Sequence, residues 1–331
     1  MRFKKREIHT VFHRFLNLRL GKNLSLPALA ELFRASLTPG TVLDVIGEEL
    51  SQEEIARITE ELALDRSVFY RYFLYMKDLL RGDLGVSYIY NMEVWDLYMM
   101  RLPATMKLTA ASVLVGVVLS LPLGIKAAVT NGSLTDNTCT VVGLLGLSIP
   151  NFWLGLMLVV WFSLGTGWFP SSGDDGTWKS LVLPVLTIGS GLMATIMRTT
   201  RSSMLDVLQQ DYLRTARSKG VAETNVVNKH ALRNALIPII TVVGTQIGSC
   251  LGGTVVTENV FSWPGVGRLI IDAVNQRDTT TVTGCIIMTV ILVCLVQLAV
   301  DILYAFVDPR LRSQYEGGKK KTPQTAGGEQ V

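Results

Sequence analysis

The segment DYLRTARSKGVAETNVVNKHALRNALIPII, residues 211–240, carries side chains whose types and spacing suit a chemical role. Acidic and basic residues between Asp211 and Lys219 can form ion pairs with a partner surface. Ala216 and Gly220 are small enough to allow a close backbone approach, and glycine can end a helix at positive φ. The pattern predicts a helix, a glycine turn and a second helix that together form a docking surface. The alternative is a solvated basic loop, which would not need the small and apolar residues.

Uncharged polar residues inside apolar runs form a second candidate group. Ser148, Asn151 and Gln246 lie in such runs, and Pro150 is expected to bend its helix beside the first two. Lipid offers no partner for polar side chains, so these residues predict a water-filled translocation path. Contacts between packed helices are an equal alternative, because Ser, Asn and Gln also hydrogen-bond across helices.

A third group surrounds the sequence WPGVG, in a polar loop between two apolar runs. Glu258, Asn259, Trp263 and Arg268 are candidates for gating a path or for contacting a partner protein. The loop also predicts a turn followed by a short amphipathic helix, for which a purely structural role is the alternative.

The sequence lacks the residues that several kinds of chemistry require. The cysteines Cys139, Cys250, Cys285 and Cys294 all lie in or beside apolar runs without paired ligand spacing, which predicts small buried hydrophobes and no metal site. No Walker-type loop occurs, so the chain is not expected to hydrolyse ATP or to bind a cofactor itself. An enzyme within the membrane would need clustered carboxylates, histidines or a nucleophile in its spans. The basic residues lack interleaved aromatics, which disfavours nucleic-acid binding.

Charge distribution identifies the elements that must position these residues. The chain is 49% hydrophobic and 18% charged, below the typical charged share of about 25% for a soluble domain. Long uncharged runs predict membrane-spanning helices, since about 20 apolar residues cross a bilayer. The predicted spans lie near residues 106–129, 139–165, 180–200, 234–256 and 280–306. Buried core helices of a soluble protein are the weaker alternative for five such runs.

Basic residues predict the orientation of these spans. Segment 198–233 is rich in Arg and Lys, and the C-terminal tail carries Arg310, Arg312 and Lys319, so both are expected in the cytoplasm. Five crossings then place the acidic segment 35–105 outside. The basic residues of segment 1–22 should stay inside, which would require a sixth crossing through the polar stretch 24–36.

We therefore predict an all-α, polytopic membrane helix bundle with five clear spans and an atypical or missing sixth. Its expected divisions are a basic N-terminal segment (1–36), an extracytoplasmic helical subdomain (37–105), a transmembrane domain (106–308) and a disordered cytoplasmic tail (309–331). Residues 204–232 form the cytoplasmic loop within the transmembrane domain.

Several motifs resemble the permeases of ATP-binding-cassette (ABC) importers, in their dipeptide, oligopeptide and nickel branch. The sequence DYLRTARSKG…NKHALRNALIPI is similar to their cytoplasmic signature loop, with Arg214-Thr215 where that motif usually has Glu-Ala. Other stretches resemble the same branch and occur in its order along the chain: GEELSQEEIARITEELALDRSVFYRYFLYMKDLLRGDLGVS, RLPATMKLT, SIPNFWLG, GGTVVTENVFSWPGVGRLIIDAVNQRD and DPRLR. The resemblance covers about residues 37–313 and departs from the family at 24–36, where a first helix normally lies.

The resemblance implies a multi-pass cell-membrane permease that moves peptides delivered by a solute-binding protein. Implied partners are a second permease and two cytoplasmic ATPases, which use the ATP. The loop residues expected to couple to an ATPase are Asp211, Tyr212, Arg214, Thr215, Ala216, Arg217, Lys219, Gly220 and Val221. Nickel or another small solute remains an alternative cargo, and a passive channel is the alternative of another class.

Overall fold

The computed structural model describes residue 43 and residues 51–307, except for the side chains of residues 68 and 304–307. The predictions for segments 1–36 and 309–331, including a sixth crossing at 24–36, lie outside these residues.

Helices dominate the described chain. Helices α1 (Gln52–Glu61) and α2 (Val68–Leu79) precede a short antiparallel hairpin, β1 (Val86–Ser87) and β2 (Met92–Glu93), in which Val86 faces Glu93. Long helices follow: α3 (Val94–Val129), α4 (Leu134–Ser148), α5 (Asn151–Leu158) with a π-helical turn (Val159–Leu164), and α6 (Trp178–Leu208). The remaining elements are α7 (Asp211–Ser218), α8 (Glu223–Asn225) with a π-helical turn (Val226–Ala231), α9 (Leu232–Gly253), α10 (Val255–Val260), α11 (Val266–Asn275) and α12 (Thr279–Val307).

Four of the five predicted spans correspond to a long apolar helix. Helix α3, helix α6, the segment Glu223–Gly253 and helix α12 are long and apolar enough to cross a membrane. The predicted span 139–165 is different, because α4 and α5 meet at a 100° bend. The α3 and α6 helices also begin or end several residues outside the predicted spans, since a helix can continue past the lipid where charged side chains reach water.

Contacts of the two loops around α4 and α5 show that this bent pair still reaches from one end of the bundle to the other. Asp174, in the loop after α5, binds the Lys107 ammonium near the start of α3 at 2.9 Å. Asp136, at the start of α4, binds the Arg201 guanidinium near the end of α6. The two loops therefore lie at opposite ends of the bundle, as a broken span requires.

A row of small residues on α3 brings α6 into the centre of the bundle. Ser112, Gly116, Ser120 and Gly124 are buried at four-residue intervals. A Cβ on Gly124 would lie 2.7 Å from the Thr200 Cβ, so only glycine allows this approach. Small residues at a fixed helical interval are a common means of packing membrane helices closely.

The first subdomain is tied to the last span. Ser51 and Glu54 form the reciprocal capping box that starts α1. The buried Ser87 hydroxyl donates to Asp278, which also accepts from the Thr281 hydroxyl at the start of α12. The hairpin that carries Ser87 was not predicted, because two-residue strands leave no hydrophobic alternation to detect.

Candidate functional site

Helix α7 is an amphipathic helix that lies on the end of the bundle. Its Leu213 is completely buried, in a cluster with Val226, Ala231 and other residues of the spans. Ala216 and Val221 are half-buried against the same cluster. These three side chains therefore fasten the helix to its own chain. Because Ala216 and Val221 are only half-buried, they also leave part of their surface beside the exposed side of α7.

The turn after α7 has the hydrogen bonds of a Schellman motif. The Val221 N–H donates to the Ala216 carbonyl at 3.2 Å, and the Gly220 N–H donates to the Arg217 carbonyl at 3.0 Å. Gly220 has a φ of +77°, which confirms the predicted glycine turn. A Cβ built on Gly220 meets nothing within 4 Å, so the space beside this residue is open to a partner.

Tyr212 links α7 directly to the span that follows it. The Asn234 side-chain amide donates to the Tyr212 hydroxyl at 2.7 Å and to the His230 carbonyl at 3.1 Å. Asn234 lies in the first turn of α9. Helix α7 is thus connected to α9 by a side-chain hydrogen bond as well as through the core.

The outward surface of α7 is polar and charged. Asp211, Arg214, Thr215 and Lys219 are exposed, and the Arg214 guanidinium lies 3.9 Å from the Asp211 carboxylate. Arg217 is occupied within the chain, because its guanidinium binds the Glu223 carboxylate across the glycine turn at 2.9 Å. This hydrogen-bonded pair raises the pKa of Arg217. It braces the turn, and the remaining charges are available to a partner.

The structure places the predicted path residues at two separate sites. Ser148, Pro150 and Asn151 are exposed at the 100° bend, which confirms that Pro150 interrupts the helix. Gln246 is half-buried on α9. Ser148, Pro150 and Asn151 thus lie where α4 meets α5, whereas Gln246 lies on a different helix.

A continuous polar face on α9 was missed from the sequence. Its exposed positions recur every three or four residues and are Asn234, Pro238, Thr241, Thr245, Ser249 and Gly252, with Arg233 and Gly253 at its margins. None of the exposed residues of α9 is a large hydrophobic one, whereas α12 exposes Ile291, Leu295 and Leu303. We call this surface the polar face of α9. A surface of this composition is unsuited to contact with lipid tails.

Hydroxyl groups on the polar face of α9 are satisfied by their own helix. The Thr241 hydroxyl donates to the Ile237 carbonyl at 3.0 Å, and the Thr245 hydroxyl donates to the Val242 carbonyl at 2.8 Å. A hydroxyl that donates keeps its acceptor lone pairs. The face can therefore accept hydrogen bonds from a passing solute while carrying no charge between Asn234 and Gly253.

Glu258 and Trp263 are fully buried, so neither side chain is exposed to a partner in this structure. The Glu258 carboxylate accepts from the Gly267 N–H at 2.7 Å and the Arg268 N–H at 3.2 Å, in the first turn of α11. The Trp263 indole N–H donates to the Ala104 carbonyl at 2.9 Å. Both residues are structural, as the sequence allowed.

The other two residues of this group are less buried. Asn259 is exposed, and the Arg268 guanidinium donates to the Ser262 carbonyl at 2.6 Å. Of the four candidates, Asn259 therefore offers a side chain to a partner with the least rearrangement.

Thr105 joins two motifs that lie 153 residues apart. Its hydroxyl donates to Glu258 at 2.8 Å and accepts from the Val266 N–H at 2.9 Å, so the start of α11 is held by both side chains. The glycines of WPGVG make room for this arrangement, since a Cβ on Gly265 would collide with the Glu258 carboxylate. Burial raises the pKa of Glu258, and its four hydrogen bonds oppose that shift.

Comparisons with known proteins agree with the motifs. The family described as binding-protein-dependent transport system inner membrane component matches residues 120–313. The chain is 40% identical over 268 residues to the glutathione transport system permease protein GsiC of Escherichia coli O6:H1, which covers 81% of this chain and 87% of that protein. It is 37% identical over 308 residues to the dipeptide transport system permease protein DppB of Escherichia coli K12, which covers 83% of this chain and 91% of that protein.

The fold is also similar to a solved transporter. The MetNI methionine ABC transporter in an inward-facing conformation matches with a TM-score of 0.56 and 21% identity, over 64% of this chain and 96% of that chain. The resemblance inferred from the motifs is thus confirmed by sequence and by fold.

Proposed function

Because this chain belongs to the family of binding-protein-dependent transport system inner membrane components, we propose that it is the membrane-spanning permease of an ATP-driven peptide importer. The arrangement of α7 carries this proposal. An exposed polar helix, fixed to the spans by Leu213 and linked to α9 by Tyr212, is suited to receive force from outside the chain. A passive channel would not require such a helix.

In this proposal the partners are two cytoplasmic ATPases, a second permease and an extracytoplasmic solute-binding protein. One ATPase contacts the outward surface of α7, including the open space beside Gly220. Closure of the ATPases on ATP displaces α7, and the packed core and the Tyr212–Asn234 hydrogen bond carry the movement into α9. The basic loop and the C-terminus lie in the cytoplasm.

The polar face of α9 forms one wall of the translocation path, opposite the second permease. Support comes from its exposure in a helix that is otherwise apolar, and from its lack of charge. Hydroxyls and helix termini suit a solute rich in amides, which both donate and accept hydrogen bonds. Peptides fit this chemistry and agree with the dipeptide and glutathione transport named for the two relatives.

The test uses the reconstituted complex with its ATPases, its binding protein and a radiolabelled dipeptide. Gly220→Trp should retain membrane insertion but lose most ATP-dependent uptake, because the indole fills the space proposed for the ATPase. Gly220→Asn should retain uptake, since asparagine tolerates positive φ better than other side chains.

Gly132→Trp is the matched control. Gly132 also has a positive φ, of +78°, and open space beside its Cβ position, and it lies in the loop between α3 and α4. A similar loss of uptake in Gly132→Trp, or normal uptake by Gly220→Trp, would rule out α7 as the ATPase contact. Uptake without ATP would instead indicate a channel.

A further inference from the structure

A cleft between α4 and α6 has the features of a lipid site. It contains a cavity of about 200 Å³ near the α7 end of the bundle. Thr140, Gly143 and Leu147 line it from one face of α4, and Ala194, Met197 and Arg198 line it from α6. Most of the lining residues are apolar, which suits a hydrocarbon chain better than a water-soluble ligand.

Arg198 places a positive charge at the mouth of this cleft. Its side chain is exposed, and within residues 51–307 it makes no hydrogen bond or ion pair. Arg201, one turn further along α6, is neutralised by Asp136 of α4. Arg198 is therefore the lining residue whose charge is left for a ligand.

The depth of Arg198 matches the phosphate level of a bilayer. Trp178 is the first residue of α6, and Arg198 lies 20 residues further along the helix (198 minus 178). At about 1.5 Å per residue this distance is about 30 Å, which is the thickness of the hydrocarbon core. The residues from Ser180 to Met197 carry no charge, so Arg198 is the first charged residue beyond that core.

We propose that this cleft binds one anionic phospholipid, with its phosphate on Arg198 and part of an acyl chain in the cavity. The guanidinium can bind two phosphate oxygens at once, which an ammonium cannot do with the same geometry. The cavity adds selectivity for a lipid over a free anion, because an anion alone would leave the apolar lining empty. The bound lipid would bridge α4 and α6 beside the segment that leads into α7.

The proposal is tested on the complete transporter complex, purified in detergent and stripped of lipid. Native mass spectrometry would follow the return of phosphatidylglycerol or phosphatidylcholine. The wild-type chain should retain one phosphatidylglycerol in preference to phosphatidylcholine. Arg198→Gln should weaken phosphatidylglycerol binding by about fivefold or more, the order expected for one basic residue near an anionic headgroup, and should abolish the preference. Arg198→Lys should retain part of the preference for phosphatidylglycerol.

Thr140→Phe tests the cavity separately, because the ring fills the acyl site from an exposed position on α4. It should weaken the binding of both lipids. The matched controls are Thr138→Phe, on the same helix but outside the cleft, and Lys126→Gln, an exposed cation on α3. Both should bind lipid as the wild type does.

Three results would overturn the proposal. One is phosphatidylglycerol binding by Arg198→Gln at wild-type affinity. Another is equal retention of both lipids by the wild type, or retention of neither, as would occur if a partner subunit filled the cleft. The third is displacement of the lipid by inorganic phosphate at equal concentration, which would indicate a site for free anions.

Discussion

Glu258 shows how one carboxylate can organise a structural element from inside the protein. It binds two backbone N–H groups at the start of α11 and two threonine hydroxyls, from Thr105 and Thr254. Orphan N–H groups at a helix start must be satisfied when they are buried, and no solvent reaches this position. The side chain therefore fixes the direction in which α11 leaves the WPGVG turn.

We predict that Glu258→Ala destabilises the protein by about 3 kcal/mol or more, because buried N–H groups lose their acceptor. Glu258→Gln should cost much less, since its amide oxygen can still accept from the backbone. Thermal unfolding in detergent measures both. Asn259→Ala is the control, because that neighbouring side chain is exposed. Equal stability of Glu258→Ala and Asn259→Ala would show that the cap contributes little.

The pH dependence of stability gives a second measure of the same carboxylate. Burial raises the pKa of Glu258 from the ordinary value of 4.5, so the folded state binds its proton more tightly than the unfolded state. Its contribution to stability is present below that value and is lost as the pH rises through the folded pKa. Glutamine cannot ionise. The stability of Glu258→Gln relative to wild type should therefore increase from pH 4.5 to pH 7, and a constant difference would contradict the shift.

Helix α9 differs from the other spans in what its exposed side presents. We predict that Thr245→Cys reacts with a hydrophilic maleimide in the assembled transporter, because the polar face of α9 borders water. Leu295→Cys, on the apolar exposed side of α12, should react far more slowly. A Cys139→Ser background removes the half-buried natural thiol, and the other three cysteines are buried. Equal labelling at both positions would place the polar face in lipid or in a sealed contact.

The elements were largely predictable from the sequence, whereas their exposed faces were not. Uncharged runs locate the spans because the cost of placing charges in lipid is local to each residue. The Gly220 turn was predictable for a similar reason, since positive φ is a local requirement. The polar face of α9 depends on which side of the helix its neighbours cover, so Gln246 was chosen from the sequence and Thr241, Thr245 and Ser249 were missed.

The pairing of Thr105 with Glu258 was also beyond sequence reasoning. The two motifs were recognised as separate, and nothing in either motif indicates a contact across 153 residues. Burial of a charged residue between apolar runs is unusual, and the sequence placed Glu258 only in a polar loop. The four hydrogen bonds that make its burial possible come from three separate parts of the fold.

The bundle has two distinct ends, and the number of crossings decides which elements lie at each end. One end carries α7, α8 and the Asp136–Arg201 pair, and the other carries the Lys107–Asp174 pair and the loop in which the Gly173 N–H donates to the Phe261 carbonyl. With α4 and α5 counted as one broken span, the described chain crosses five times. Three of these crossings lie between α2 and α7, and this odd number places α1 and α2 at the end opposite to α7.

We predict that Asp65→Cys is labelled by an impermeant thiol reagent added to intact cells, and that Thr224→Cys is labelled only after permeabilisation. Both side chains are exposed, in the segment between α1 and α2 and in α8, respectively. The prediction depends on the bent pair, because a re-entrant pair would reduce the crossings between residues 65 and 224 from three to two. Residues 65 and 224 would then lie on the same side and would be labelled together. Opposite labelling would establish that the 100° bend at Pro150 interrupts a complete crossing, as the separate contacts of Asp136 and Asp174 require.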